Sequence, residues 1–469
     1  MFPALCVNPP TTYHRREPNQ SARHGVVREH LGTFLASHDI LGHVRRALRR
    51  YLDCGVLAQG FVRVRCPQCK AECLVTFSCK DRSFCPSCTA RRAAEPARLV
   101  DHVLPQVPHR QCVLALPPDL HVRFASDPEL ESRLLQLFTD ELFELQRALA
   151  RAGDAARGGS VTLLQHFGSS LNLHVHFHTL ALDGVYVPGD SPDASPRFVR
   201  APEPTPEQLR WLCSRVVERA ARLVACRPWK EPAEERQTQV FTIHGGEPRE
   251  PTAKRLHARV AGFDLHASAP MEAHERIAIE RFARYALRNP IANGCLSRGL
   301  RDQLTYRLKA PRPDGTTALA LSPMTLLERL TRLIPQHGRH MVTYHGVLAS
   351  AARYRPRIVP TPPPALPPLL RHAGSRRIHW MNLLRRVFLL EVLACACDGT
   401  RRVISSVEEG RAARKILRHL GLPSEAPTPA PARTDQEELF APGPPPPDVC
   451  EPPPVDTYDQ RLPPHLDPA

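Results

Sequence analysis

Long apolar runs are missing from this chain. The most apolar stretch, Val387 to Cys397, is about half the length a bilayer crossing needs and contains Glu391, so it reads as a buried helix and no membrane span is expected. The start, MFPALCVNPPTTYHRREP, lacks the basic segment and apolar run of a secretory signal, which predicts a cytoplasmic protein. No internal repeat is visible. Lysine is also scarce, at six of 63 basic residues, and Arg, Ala and Pro are abundant throughout, so part of the arginine excess is compositional bias. Even so, 63 Lys plus Arg against 47 Asp plus Glu gives a formal net charge of +16, which favours a polyanionic partner such as nucleic acid.

Cysteine is not scarce. In a reducing cytoplasm the 15 cysteines are not expected to form a disulfide scaffold, and clustered ones read as thiolate ligands. Seven fall between Cys54 and Cys88. Cys66-Pro-Gln-Cys69, fifteen residues, then Cys85-Pro-Ser-Cys88 has the two-knuckle spacing of a zinc ribbon, in which four sulfurs close a structural Zn²⁺ site. Cys54, Cys73 and Cys79 are left without an assigned partner. Alternation in Phe61–Arg65 and Leu74–Phe77 predicts the ribbon's short strands, and Arg63, Arg65, Lys70, Lys80, Arg82, Arg91 and Arg92 make the module a candidate DNA contact.

The chain divides by composition. Residues 1–25 are expected to be disordered, and 26–104 to form one or two helices followed by the ribbon. Residues 105–350 carry alternating strand and helix patterns, 351–375 a proline-rich linker, 376–423 a helical region, and 424–469 a disordered proline-rich tail. Within 105–350, periodicity predicts strands at 111–116, 161–167, 171–182, 260–267 and 305–309, and helices at 128–152, 206–226, 271–288 and 323–334. Residues 227–256 read as loop. The fold class is α+β.

The chemistry concentrates in LNLHVHFHTLALDGVY, Leu171–Tyr186. On a strand, His174, His176 and His178 project from one face while Leu173, Val175 and Phe177 line the other, an arrangement suited to a divalent metal. Gln165 on the preceding strand and His266 on a later one are further candidate ligands. Downstream, the helix containing ERFARYALRNP places Tyr285 on a face with Phe282 and Ala278, among Arg281, Arg284 and Arg288. Such a basic collar would hold a phosphate against the phenol. Lys309 stands out in a chain so poor in lysine.

His176-Phe177-His178, the later helical Tyr285 in RYALRNPIA and the upstream cysteine module together resemble the HUH-type tyrosine transposases of rolling-circle insertion sequences, which carry an N-terminal zinc-binding domain. The likeness also takes in Gly262–His266, Thr305–Thr317 and Tyr344–Ala349. It implies an HUH endonuclease domain at 105–350, an antiparallel sheet with packed helices and the two histidines facing the tyrosine helix. It further implies that His176, His178 and a third ligand hold Mg²⁺ or Mn²⁺, and that Tyr285 cleaves single-stranded DNA at transposon ends through a 5′-phosphotyrosine and rejoins it to target DNA. Arg281, Arg284, Arg288 and Lys309 would contact DNA.

Two departures from the family pattern bear on this reading. Arg281 and Asn289 stand four residues either side of Tyr285 where some members have a second tyrosine, so a single-tyrosine type is expected, and a homo-oligomer is one way to supply the second nucleophile. Cys395-Ala396-Cys397 sits where relatives can carry a Cys-x-x-Cys knuckle, and its shorter spacing predicts no second zinc there. A metal-dependent hydrolase using the same strand, or a zinc-ribbon DNA-binding protein without catalysis, are the rival readings. The third metal ligand is left open among His174, His266 and Gln165, ranked in that order by face geometry.

Overall fold

A computed structural model describes residues 11–12, 21–77, 79, 85, 89–191, 194–229, 240–245, 256–291, 294–336, 339–360, 390–391, 393 and 395–432. At its centre is a six-stranded sheet in the order His257–Val260, Phe263–Met271, His109–Ala115, Leu173–Leu182, Gly159–Phe167 and Val342–Gly346, with every neighbouring pair antiparallel. The histidine strand Leu173–Leu182 is therefore interior, paired on both sides.

Alternation sorts this sheet's two faces. Val175 and Phe177, with Leu114, Leu164 and Leu265, pack against the helices Pro128–Leu149 and Pro206–Ala225. Both helices begin on strong local signals: Asp127 accepts from the amides of Glu129 and Leu130 with Pro128 in the first turn, and Thr205 with Gln208 forms a capping box. The opposite face carries Val161, Leu163, Leu180 and Leu182 against Leu99, Val100, Ile279 and Phe282, so the helices Thr89–His102 and Arg276–Ala286 cover that side. Burying a side chain such as Phe177 or Phe282 is worth about 1.5–3 kcal/mol over leaving it in water, and both are fully buried. The tyrosine helix is thus held through Ile279, Phe282, Ala283 and Ala286, a stripe that leaves Tyr285 half-buried beside the histidines.

A second sheet, in the order Leu296–Arg298, Leu304–Arg307, Thr316–Leu321 and Phe241–His244, shares a core with the first two helices, Ala22–Ser37 and Gly42–Asp53, and with Pro323–Arg332. The N-terminal helices therefore lean on the downstream chain. A third sheet joins Gly60–Arg65 to Glu72–Thr76 on one side and to Arg402–Glu408 on the other. Leu417 and Ala413 of the helix Arg411–His419 complete a small core with Leu57 and Phe61.

Several sequence expectations shift. The single strand expected over 260–267 is a hairpin, because Ala261 and Gly262 take positive φ (45° and 80°) and turn the chain between His257–Val260 and Phe263–Met271. The strand Phe241–His244 lies inside the segment read as loop. Within 376–423 the described residues hold a strand, Arg402–Glu408, as well as a helix, since that strand's partner is 337 or more positions upstream and leaves no local signature. Most of the helix expected over Val387–Cys397 and the preceding residues lies outside the described residues, but Leu390–Glu391 within it form a short strand parallel to Thr11–Thr12 rather than a helix. Of the tail, residues 424–432 are described. The Ala430 amide donates to the Arg28 carbonyl, and a Cβ on Gly32 would come within 2.6 Å of the Ala430 oxygen, so the tail's start runs along the first helix where glycine leaves room.

Candidate active site

Register brings the site together. Gln165 lies opposite His176, and Leu163 opposite His178, across the pair formed by Gly159–Phe167 and Leu173–Leu182. The Gln165 side-chain oxygen stands 2.9 Å from His176 Nε2 and 3.4 Å from His178 Nε2, while its amide nitrogen donates to the Ala286 carbonyl at 3.0 Å. Gln165 thus ties both histidines to the residue following Tyr285. The His178 ring is 6.1 Å from the Tyr285 ring, edge-on, and 6.2 Å from Phe282.

The protonation states follow from the partners. His176 Nδ1 lies 3.0 Å from the His174 carbonyl, which can only accept, so the Nδ1–H tautomer satisfies that contact and turns the Nε2 lone pair to Gln165. Turning the Gln165 amide over would set its oxygen against the Ala286 carbonyl, so the orientation is fixed. Burial, and then the neighbouring charge of His178, pushes His176 well below the usual histidine range. Burial and the Arg288 charge lower His178 to about 3. His176 Nε2 and Gln165 Oε1 face each other at 2.9 Å; the Nε2–H tautomer donates to that oxygen, and the Nδ1–H tautomer sets a lone pair beside it where a shared cation could bind. Adjacent ligands of an octahedral ion bound at about 2.1 Å stand about 3.0 Å apart. On this count the residues fit a small divalent cation.

Of the other candidates for the third ligand, His174 keeps its ring centroid 4.8 Å from that of His176 and also meets His121, with 3.1 Å between their ring nitrogens. His266 is on the same face but two strands away, opposite Val113, which in turn is opposite His178. Gln165, ranked last from face geometry, is the one placed against both histidines. Sequence pattern does not single out Gln111. Its amide nitrogen comes within 3.4 Å of His178 Nδ1, and its one signal is alternate spacing with Val113 on a neighbouring strand.

The basic residues divide. The Arg288 guanidinium sits 4.0 Å from the centroid of the Tyr285 ring, and Lys309 Nζ is 5.6 Å from it, so these two residues flank the phenol. Arg284 is engaged by Glu280 on the same helix, and Arg281 is exposed. Just past the helix, the Asn289 amide donates to the Cys85 carbonyl at 3.1 Å and links the site to the cysteine module.

The cysteines do not group as their spacing predicts. Cys66 and Cys69 converge with Cys395 and Cys397, whereas Cys85 converges with Cys54 and Cys79, each set having its sulfurs within 4.8 Å of one another. Cys88 lies outside the described residues. Among the described residues, then, the sulfur of Cys85 is grouped apart from those of Cys66 and Cys69, which the spacing expectation puts in one site with it, and the Cys395–Cys397 turn lies against the first knuckle. The cause is the pairing of Arg402–Glu408 with Gly60–Arg65, which delivers the C-terminal turn to the first knuckle.

Comparison with known families agrees with this layout. Residues 159–355 match the family model described as "Putative transposase" (Y2_Tnp), and residues 26–116 match the one described as "Transposase zinc-binding domain" (Zn_Tnp_IS91). The first match spans Gln165, both site histidines, Tyr285, Arg288 and Lys309. The second spans Cys54 to Cys88 and stops short of Cys395. Neither a curated protein nor a solved structure matches the chain.

Proposed function

We propose, from the matches to the transposase and transposase zinc-binding family models, that this chain is a transposase of IS91 type that nicks and rejoins single-stranded DNA in rolling-circle transposition, with Tyr285 as nucleophile and His176, His178 and Gln165 as ligands of Mg²⁺ or Mn²⁺. The observation that carries this reading is the junction at Gln165, whose side chain engages both histidines and the backbone of the tyrosine helix.

The residues divide the work as follows. Tyr285 Oη attacks phosphorus, forming the Oη–P bond as the bond from phosphorus to the 3′ oxygen breaks. The products are a 5′-phosphotyrosine and a strand ending in a 3′-hydroxyl, and the phenol's proton passes to solvent. Arg288 and Lys309, on the ring's flanks, attract the scissile phosphate and stabilise the charge that develops on the phenol oxygen. A bound divalent ion would supply Lewis-acid polarisation of a phosphate oxygen. Attack by the 3′-hydroxyl of target DNA on the phosphotyrosine reverses the chemistry and conserves the phosphodiester, so rejoining needs no ATP.

Among the described residues, Tyr285 is the tyrosine whose ring lies against a site histidine. The deciding experiment incubates the protein with labelled single-stranded oligonucleotides from the element's ends and Mg²⁺, then denatures it. A covalent protein–DNA adduct is expected from wild type and none from Tyr285→Phe. Absence of the adduct in wild type, or its persistence in the variant, defeats the proposal.

A further inference from the structure

We propose that Cys66, Cys69, Cys395 and Cys397 together hold one zinc ion, which clasps the C-terminal segment onto the N-terminal module. The two halves come from opposite ends of the described chain: Cys66 Sγ is 3.6 Å from Cys397 Sγ, and Cys69 Sγ is 3.3 Å from Cys395 Sγ. All four sulfurs lie within 4.8 Å of one another. With Zn–S bonds near 2.3 Å, tetrahedral thiolates stand about 3.8 Å apart. The set is therefore close to ligand geometry as it stands, and four sulfurs leave no coordination position open, which marks a structural site.

The backbone is shaped for it on both sides. In the first turn the Cys66 amide donates to the Ala71 carbonyl, the Lys70 amide donates back to the Cys66 carbonyl, and Lys70 takes a φ of 63°. In the second turn the Cys395 amide donates to the Gly399 carbonyl, the Asp398 amide donates to the Cys395 carbonyl, and Asp398 takes a φ of 61°. The Cys-x-x-Cys and Cys-x-Cys motifs thus reach the same looped form, each with a left-handed residue directly after its second cysteine. Backbone amides approach the sulfurs as well, those of Gln68 and Cys69 at Cys66 and that of Cys397 at Cys395. The turns meet closely at Gly399, where a Cβ would come 3.0 Å from Cys66 Sγ and 2.2 Å from the Gln68 side-chain oxygen. Strand pairing brings the turns together, with Arg402 opposite Arg65 at the end nearest both. A zinc ion held by the four thiolates would join the two turns at that end.

The test uses the full chain. Cys69 and Cys397 are exposed, so without metal they are open to alkylation. Wild-type protein is treated with iodoacetamide under a graded zinc chelator, and its peptides are weighed by mass spectrometry. We expect Cys66, Cys69, Cys395 and Cys397 to be protected while zinc is bound and to become reactive together, at one chelator concentration. In parallel, metal analysis of Cys395→Ser/Cys397→Ser should show one zinc fewer per chain than wild type. Alkylation of Cys395 and Cys397 while Cys66 and Cys69 stay protected overturns the proposal. So does unchanged zinc content in the double variant, or iron in place of zinc. The alkylation arm needs no variant, so its outcome does not depend on how the double variant folds.

Discussion

Gln165 faces His176 with its oxygen at 2.9 Å and holds the Ala286 carbonyl with its nitrogen at 3.0 Å, so one side chain sets the histidines and the tyrosine helix relative to each other. Gln165→Ala should lose both functions. Mn²⁺ affinity, read by electron paramagnetic resonance, and the nicking rate are each expected to fall roughly 10–100-fold, the range seen when groups that position metal ligands are removed. Gln165→Glu keeps an oxygen toward His176 but gives up the donor to Ala286. It should therefore retain metal better than Gln165→Ala while still nicking slowly. Equal metal affinity in wild type and Gln165→Ala would remove this residue from the site.

Arg288→Ala and Arg284→Ala should behave differently although Arg284 is on the tyrosine helix and Arg288 only two residues past its end. Arg288 and Lys309 lie over the Tyr285 ring, whereas Arg284 is held by Glu280. Arg288→Ala and Lys309→Ala are each expected to slow adduct formation and to lower the salt dependence of single-stranded DNA binding, by about 0.7 in slope for each phosphate no longer neutralised. Arg284→Ala should leave both nearly unchanged. Fluorescence anisotropy across a salt series makes the comparison.

Asn289→Ala removes the amide that ties the Cys85 carbonyl to the end of the tyrosine helix. Single-turnover nicking should slow while oligonucleotide affinity stays at the wild-type value, because the variant disturbs the placement of Tyr285, four residues earlier. A loss of affinity with an unchanged single-turnover rate would contradict this role.

Glu131 is buried between His166 and Arg339, and it is the acceptor for both. Glu131→Ala would leave the Arg339 charge without its carboxylate in the interior, a loss of about 3–5 kcal/mol. Urea denaturation followed by intrinsic fluorescence should show a clear fall in midpoint. A midpoint matching wild type would mean the pair is not needed.

Acid should weaken the central sheet in a defined window. His109, wholly buried at the end of its strand, has its pKa lowered to about 3 by burial and by the Arg276 charge, against 6.5 in the unfolded chain. The unfolded state therefore binds a proton first as pH drops, so stability is full above pH 6.5 and declines progressively from there toward pH 3. His109→Gln should flatten part of that slope when midpoints are measured from about pH 7.5 to about 4.5, a range that brackets the unfolded-state titration.

Much of this molecule is legible in local pattern. The helices Pro128–Leu149 and Pro206–Ala225 announce themselves through caps and apolar stripes, and the alternation of His176 and His178 against Val175 and Phe177 fixes which face each occupies. The third member of the site has no such signature, because Gln165 becomes a neighbour of His176 only through the register of a hairpin, and register is set by the whole sheet. The grouping of the cysteines escapes local reading for a related reason. Spacing reports which thiols can share a turn, and it is silent on which turns meet; Cys66 finds Cys397 through a strand pairing that spans most of the chain. Likewise, nothing local separates Arg284 from Arg288; Glu280, one turn before Arg284, is what divides them.

The same strand pairing has a bearing on how the chain is made. Gly60–Arg65 and Glu72–Thr76 leave the ribosome early, but their third partner, Arg402–Glu408, is synthesised only after all six strands of the central sheet. The central sheet is in effect an insertion within the cysteine module, and it can fold while that module is still waiting for its third strand. Chains cut short by premature termination would carry the tyrosine and histidines beside an unfinished module, so completion of synthesis, rather than folding of the central sheet, decides when the module is assembled.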